Sequence, residues 1–407
     1  MGKCPDVPVC GALPLCASFP IDRRAEGWRR HKMHPDVILE DTTLRDGEQA
    51  PGVAFDFAKK MAILDGLIDA GVGWIEVGIP AMGGTELEFI KAALDRKDDA
   101  RLVVWNRGVR ADVEFSLSLG YQAIHIGLPA SSLHLDKSVG KSRDWLLDTA
   151  TELIGLVKQH GVFASISAED IARTEIDFLV EYGQAVAEAG ADRLRLSDTI
   201  GVLGPEAYAE RVRAVTDNCD IDVQCHAHND FGLGLANTLA GLHAGARYFH
   251  VTVNGMGERA GMADLAAATL ALRNIYGVDL GIRTERLWAL RRLVEEATQS
   301  PVLPWHPVTG SNVFSHESGI HVKAMLKDTS TFEPFAPEQV GGERRYVLGK
   351  HSGRALIDLL LRENGIEPAK AELDSALEWV REQALQRGGP VLADELVKHY
   401  LAGEADR

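Results

Sequence analysis

Two histidines separated by one residue, His226 and His228, are the densest metal-binding chemistry in the chain. On a strand, residues two apart point to the same face, so both imidazoles can reach one ion. With a carboxylate they make an open two-histidine, one-carboxylate centre. Asp46 is the expected carboxylate, because it lies just past the first strand, which neighbours the seventh and eighth on closure. Asn254 is a further candidate, as a neutral oxygen. Mg, Mn, Zn and Co all remain open as the ion. An H-x-H pair also arises as two half-buried histidines, but a strand end among carboxylates favours the ion. Arg45, beside Asp46, either stabilises negative charge developing on a substrate oxygen or pairs with Asp41 or Glu76. Ser167 and Thr199 either donate to a carboxylate or cap helices. Gly255, Gly257 and Gly261 either open an anion-binding nest or serve a tight turn. His316 and His321, close to Gly319, offer one more imidazole for acid–base work or for packing.

These side chains must be positioned by regular elements, and the pattern for them is clear. Eight apolar runs read as strands: Val37–Asp41, Trp74–Ile79, Leu102–Asn106, Ala123–Leu128, Phe163–Ser167, Arg193–Ser197, Asp222–His226 and Tyr248–Val253. Helical spacing fills the stretches between, as in Lys59–Ala70, Trp145–His160, Asp177–Ala189, Glu206–Thr216 and Leu233–Ala244. Several end in glycine (Gly71, Gly161, Gly190, Gly245), a helix stop. Eight strand–helix units predict a (β/α)8 TIM barrel in the α/β class. An open doubly wound sheet ranks second, because no Gly-rich dinucleotide turn follows the first strand. Residues just past barrel strands form the active mouth. That is where Asp46, Arg107, Glu169, Asp198, His228 and Glu258 fall.

The domain expectation is a flexible extension over 1–34, a barrel over 35–283, a linker or subdomain over 284–345, and a small helical domain over 346–407. The chain has 407 residues, with 43 Lys plus Arg against 59 Asp plus Glu, a net charge of −16. That acidity argues against nucleic acid or an anionic membrane as a partner. No apolar run approaches the ~20 residues of a membrane span. Five cysteines, three of them Cys4, Cys10 and Cys16, do not make a disulfide framework in a chain this long. Val9–Phe19 lacks the shape of a signal peptide, so a cytoplasmic location is expected.

Together these stretches resemble the acyl-CoA-condensing enzymes that include homocitrate synthase, 2-isopropylmalate synthase and citramalate synthase. The likeness rests on Asp41-Thr42-Thr43-Leu44-Arg45-Asp46-Gly47-Glu48-Gln49, His226-Ala227-His228-Asn229-Asp230 and Asn254-Gly255-Met256-Gly257-Glu258-Arg259-Ala260-Gly261. Ser318-Gly319-Ile320-His321 and Val347-Leu348-Gly349-Lys350-His351-Ser352-Gly353 extend it. Gly52-Val53-Ala54-Phe55 and Val77–Gly83 look most like the homocitrate synthases of nitrogen fixation.

The resemblance implies a homodimer of metal-dependent TIM barrels that condenses acetyl-CoA with a 2-oxo acid and then hydrolyses the thioester. It implies Asp46, His226 and His228 as metal ligands, with Asn254 as ligand or neighbour. Arg45 would hold the keto oxygen, Thr199 the 1-carboxylate, with Gln49 and Ser167 also at the substrate. Glu169 would act in catalysis or proton relay. Gly255, Gly257, Glu258 and Arg259 would receive part of the acetyl-CoA. His321, donated by the partner subunit, would help deprotonate the thioester methyl.

Two departures stand out. Phe332 follows Thr331 where many members have Tyr. Ser165 stands where lysine-pathway homocitrate synthases carry the Arg that grips the distal carboxylate of 2-oxoglutarate. Arg107 is then the best alternative anion anchor, unless it is a surface ion pair, and its loss is expected to raise KM for an acceptor with a distal anion. 2-Oxoglutarate leads as acceptor. Oxaloacetate and phosphonopyruvate follow, then pyruvate and 2-oxoisovalerate. A carbon–carbon lyase on the same barrel is the alternative class.

Overall fold

The computed structural model describes residues 33–405. Cys4, Cys10 and Cys16, and the expected extension as far as residue 32, lie outside them. Eight parallel strands close into a barrel in chain order, with β1 (Ile38–Asp41) paired to β8 (Tyr248–Val251). The others are β2 (Trp74–Gly78), β3 (Arg101–Arg107), β4 (Ala123–Gly127), β5 (Phe163–Glu169), β6 (Arg193–Asp198) and β7 (Asp222–Ala227). Each coincides with a predicted run to within two residues at either end. The runs read clearly because strands of a parallel barrel are buried on both faces and stay continuously apolar on the helix side.

The helices between them are α1 (Phe57–Asp69), α2 (Gly84–Ala93), α3 (Arg110–Ser118), the single turn α4 (Ser132–His134), α5 (Arg143–Gln159), α6 (Ile176–Glu188), α7 (Pro205–Asn218), α8 (Gly234–His243) and α9 (Leu265–Ala271). Side-chain caps fix several starts: Asp56 accepts from Lys59 N at 2.8 Å, Ser142 from Trp145 N at 3.2 Å and Asp264 from Ala267 N at 2.7 Å. At the other ends, Gly190 and Gly245 take φ of 91° and 106°, which side-chain-bearing residues rarely adopt.

Past the barrel, α10 (Leu287–Thr298) packs on α1 and adds Leu287, Leu290 and Val294 to the barrel core. A Cβ on Gly66 would stand 3.0 Å from Leu293 and 3.2 Å from Leu290, so the bare backbone of α1 lets α10 approach. The irregular stretch after α10 is divided. Phe314 and Val340 join the barrel core, whereas Val322 of α11 (Gly319–Met325) joins a second core. That core includes Leu348, Ile357 of α12 (Arg354–Glu363), Val380 of α13 (Lys370–Arg387) and Leu396 of α14 (Ala393–Ala405). Two short strands, β9 (Ser315–His316) and β10 (Arg345–Tyr346), pair beside it. Among the described residues, no helix is long and apolar enough to cross a membrane.

The barrel interior is unusually polar. Strand β6 reads Arg-Leu-Arg-Leu-Ser-Asp, and the alternation sends Arg193, Arg195 and Ser197 inward. The rings of Trp74, Phe163 and Tyr248, 5.1–6.4 Å apart, pave the floor at the strand starts. The Arg193 guanidinium lies 4.9–5.5 Å from each of these rings. Above the floor, Arg193 Nη1 donates to Glu40 at 2.5 Å, and Arg195 Nη2 donates to Glu76 at 2.8 Å and Glu40 at 3.3 Å.

Candidate active site

Above this charged layer, a cavity at the C-terminal mouth is lined by Arg45, Asp46, Gln49, Trp105, His125, Ser167, Glu169, Arg195, Ser197, Thr199, His226, His228 and Glu258. The expected Asp46, His226 and His228 meet here, with one ligand atom from each within 4.8 Å of the others. His226 Nε2 is 3.5 Å and His228 Nε2 4.0 Å from Asp46 Oδ2, and the two Nε2 atoms are 3.3 Å apart. Burial first, then the neighbouring His228 and His250, holds the His226 imidazolium well below its usual range, so the ring is neutral.

These residues fit a divalent cation. Asp46 Oδ1 is buried without a hydrogen-bond partner. The Gly261 carbonyl can only accept, so His228 Nδ1 donates to it at 3.3 Å and turns Nε2 toward His226 and Asp46. A carboxylate and two imidazole nitrogens converging on one place suit a cation. A second group with ligand spacing, Glu40, Glu76 and His250, lies deeper. Its carboxylates already bind Arg193, Arg195 and Arg45, so its charge is balanced by guanidiniums.

Arg45 Nε donates to Glu76 at 2.5 Å, and Nη1 reaches Asp46 at 3.2 Å and Gln49 Oε1 at 3.4 Å. Arg45 thus pairs with Glu76, as one expectation had it, and also lines the cavity. Burial raises Glu76, but Arg195 and Arg45 overcome this and hold it well below the carboxylate range. Glu169 faces the same opposition with the other outcome: burial raises its carboxyl above the usual range, against Arg45 and a Ser167 hydroxyl at 3.4 Å. Thr199 Oγ1 accepts from Asp170 N at 2.8 Å, so it is anchored at the rim.

The loop after β8 closes over this centre. Gly261 has φ 79°, and a Cβ there would stand 1.8 Å from Gly255 O; a Cβ on Gly257 would stand 3.1 Å from Asp46 Oδ1. The glycines are required by close backbone approach. Glu258 lines the cavity, while Arg259 Nε bonds Asp230 at 2.9 Å and Nη2 bonds Thr199 O at 2.6 Å.

Three expected residues are not brought to this cavity. Asn254, at φ 62°, turns its amide to Arg291 O at 3.1 Å and lines a separate crevice, so it is not grouped with the ligands. Arg107 leaves the end of β3 outward and forms a two-bond ion pair with Asp112 of α3 at 2.7 and 3.0 Å. Its side chain is 62% exposed, which matches the surface-pair alternative. His321 lies exposed on α11, its ring 4.0 Å from that of Phe332. Trp105, His125, Arg195, Ser197 and, below them, Glu40, Gln224 and His250 were not singled out from sequence. The signal for them is polar residues at alternate positions in strands expected to be wholly buried.

A family model described as HMGL-like matches residues 36–294, and one described as homocitrate synthase post-HMGL domain-like matches residues 308–388. A 2-phosphonomethylmalate synthase of Streptomyces rubellomurinus is 64% identical over 90% of this chain and 99% of its own length. A 2-isopropylmalate synthase of Caldanaerobacter subterraneus subsp. tengcongensis is 43% identical over 91% and 96%. Homocitrate synthase 1 of a Nostoc species is 41% identical over 89% and 96%, so the two stretches likened to nitrogen-fixation enzymes do not mark the strongest likeness. Among solved structures, the Bacillus subtilis HMG-CoA lyase covers 66% of this chain and 96% of its own, with TM-score 0.60 and 19% identity, a likeness of fold. The closed barrel, the mouth with its carboxylate–histidine trio and both family matches agree: this chain belongs to the HMGL-like family, with the homocitrate-synthase module that follows its barrel.

Proposed function

We propose that the protein condenses acetyl-CoA with 3-phosphonopyruvate, giving 2-phosphonomethylmalate and free CoA. The observation that carries the acceptor is the 64% identity, over 99% of its length, to a protein named for that product. The product divides into a carboxymethyl unit, which acetyl-CoA supplies, and a 2-oxo acid bearing a phosphonomethyl group. Arg107, the expected anchor for the distal carboxylate of 2-oxoglutarate, is tied to Asp112 outside the cavity. The inner wall offers His125 instead. Its Nδ1 meets Ser165 Oγ at 2.8 Å, and its buried Nε2 has no partner. Arg193 Nε donates to the same Ser165 oxygen at 3.0 Å, and in our reading the serine hydrogen goes to Nδ1, so that Nε2 carries the ring's own hydrogen. That N–H is suited to a terminal phosphonate oxygen.

Asp46, His226 and His228 hold a divalent ion, which when bound supplies Lewis-acid polarisation of the acceptor's keto group. Glu76, Asp46 and Gln49 take Nε and Nη1 of Arg45 and leave Nη2 for the keto oxygen as negative charge grows on it. Thr199 and Ser197 hold the 1-carboxylate. The acetyl methyl loses a proton to a base, and its carbon bonds to the keto carbon. The carbonyl π pair moves to oxygen, which is protonated, and water then cleaves the thioester to release CoA. Glu169 lies within the cavity for proton transfer. Gly255, Gly257, Glu258 and Arg259 frame the thioester's approach.

His321 completes the site from the partner subunit of a homodimer. In its own chain it is exposed beside the exposed Ile320, Leu326 and Phe332, an apolar surface suited to a second copy. Phe332 has no hydroxyl and serves to stack the His321 ring. Use of acetyl-CoA fits a cytoplasmic enzyme.

A CoA-release assay tests the proposal. Acetyl-CoA is paired in turn with phosphonopyruvate, 2-oxoglutarate, oxaloacetate, pyruvate and 2-oxoisovalerate, with divalent metal present. Phosphonopyruvate is expected to give the highest kcat/KM, by about 10²-fold or more if a buried donor reads the terminal anion. A higher value for 2-oxoglutarate restores the acceptor first expected, and no CoA release with any acceptor refutes the reaction class.

A further inference from the structure

We propose that His250 and Glu40 are positioning residues, which fix the His226 ring with its Nε2 lone pair facing Asp46 and His228 and so preset the trio for a divalent cation. The inference rests on the cation-binding reading of that trio. Glu40 and His250 are register partners on β1 and β8, wholly buried and on the same inward face. Glu40 receives Arg193 Nη1 at 2.5 Å, Arg195 Nη2 at 3.3 Å and His250 Nε2 at 2.8 Å. Burial favours its neutral form, but Arg193, the His250 hydrogen bond and Arg195 bring it down to about 2. Glu40 is therefore a carboxylate, which only accepts, and the hydrogen in its contact with His250 belongs to Nε2.

The rest follows from one hydrogen per neutral ring. Arg193 and Arg195 already neutralise Glu40, so His250 meets it as a ring with one hydrogen, on Nε2, and its Nδ1 is left to accept. His226 Nδ1, 2.9 Å away, must donate to it. His226 is then left with an unprotonated Nε2, 3.3 Å from the Nε2 of His228. That lone pair, Asp46 Oδ2 at 3.5 Å and the His228 Nε2 converge on one place, where a cation can be held. The chain from Arg193 and Arg195 through Glu40 and His250 to His226 thus transmits a fixed tautomer to the mouth. A ligand histidine whose second nitrogen is bonded in this way is both oriented and made more basic.

The test reads cation affinity as well as catalysis. Metal-free wild-type protein is titrated with Zn²⁺ against a competing chelator, and with Co²⁺ followed by its visible absorption. His250→Phe, which removes both hydrogen bonds, is expected to bind Zn²⁺ about 10–100-fold more weakly. His250→Gln, whose amide can still donate to Glu40 and accept from His226, is expected to recover most of that loss. Folded His250→Phe protein that binds Zn²⁺ as tightly as wild type overturns the inference while leaving the cation site standing. Failure of wild type to bind either ion overturns the cation reading and the inference with it. If His250→Phe does not fold, nitrogen NMR of histidine-labelled, Zn²⁺-loaded wild type decides. Two Zn²⁺-bound rings that both carry their hydrogen on Nδ1 support the relay, and a bound ring without that hydrogen overturns it.

Discussion

Glu169 is held between burial, which raises its carboxyl, and Arg45, which lowers it, and burial wins. A base tuned this way is ionised only above a pH higher than for an ordinary glutamate. Activity that needs its carboxylate is therefore present above that raised value and lost as pH falls through it. We predict an acid limb in the pH profile of kcat/KM that disappears in Glu169→Gln, with kcat about 10²-fold lower or worse. Persistence of the limb in that variant takes Glu169 out of proton transfer. Arg107 gives the opposite prediction to the one its position suggests. Arg107→Ala should leave the acceptor KM within about twofold, because an exposed ion pair is worth little and its guanidinium lies outside the cavity. A KM rise of tenfold sinks that placement. The contrast shows what sequence carries at this scale. His226, His228 and Asp46 were legible because strand alternation and strand ends dictate where such side chains point. Arg107 and Asn254 also stand at strand ends. One is drawn outward by Asp112 five residues on, and the other is turned by a left-handed backbone, and neither effect is written in residue type.

The strands carry two jobs at once, sealing the barrel on their outer face and building a charged column on the inner one. The outer job made all eight legible as apolar runs. The inner one hid in plain sight: β6 could be read as a strand, but the partners of Arg193 and Arg195 come from β1 and β2, over a hundred residues earlier. α2, α3 and α9 were not picked out, being short segments of 7–10 residues that show few turns of periodicity. The column predicts a specific acid response. Glu40 falls from 4.5 to about 2 on folding, so it contributes stability above pH ~4.5 that is lost as pH falls through about 2. Glu40→Ala leaves Arg193 without its buried partner and should cost about 3–5 kcal/mol in denaturant unfolding at neutral pH. A cost below about 1 kcal/mol means the guanidiniums find water or new partners. The loop after β8 makes a different demand. In Gly261→Ala the new methyl meets Gly255 O at 1.8 Å on a strained φ, and the Gly261 carbonyl that orients His228 must move. We expect Zn²⁺ affinity to fall at least tenfold while the barrel still folds. Wild-type affinity in this variant shows that the loop's carbonyl does not set the His228 ring.

At the scale of the whole molecule, the barrel gathers a cation site, an arginine and an acid, yet the one remaining imidazole expected in the reaction stands on a different core. α11 is anchored through Val322 to the C-terminal helices, and His321 points to solvent beside exposed apolar side chains. Ile320 is 80% exposed, and Leu326 and Phe332 of the same segment are exposed with it, an apolar grouping of the kind that marks a docking surface. The two-fold dimer we propose would resolve this, because an isologous interface can carry each His321 to the other chain's mouth. The arrangement is testable by complementation. Asp46→Asn and His321→Ala chains are each expected to be nearly inactive alone. Co-expressed with separable tags and mixed at random, half of the dimers are hybrids. In a shared-site dimer each hybrid contains one mouth with an intact Asp46 and an intact His321 from the partner, so about a quarter of wild-type activity should return. If both groups act within one chain, neither mouth of a hybrid is intact and the mixture stays as inactive as its components. Purified hybrids that run as dimers but remain silent therefore place His321 with its own chain, and a His321→Ala chain that is active alone removes it from the reaction. Hybrids that recover activity show that the unit of catalysis is the pair.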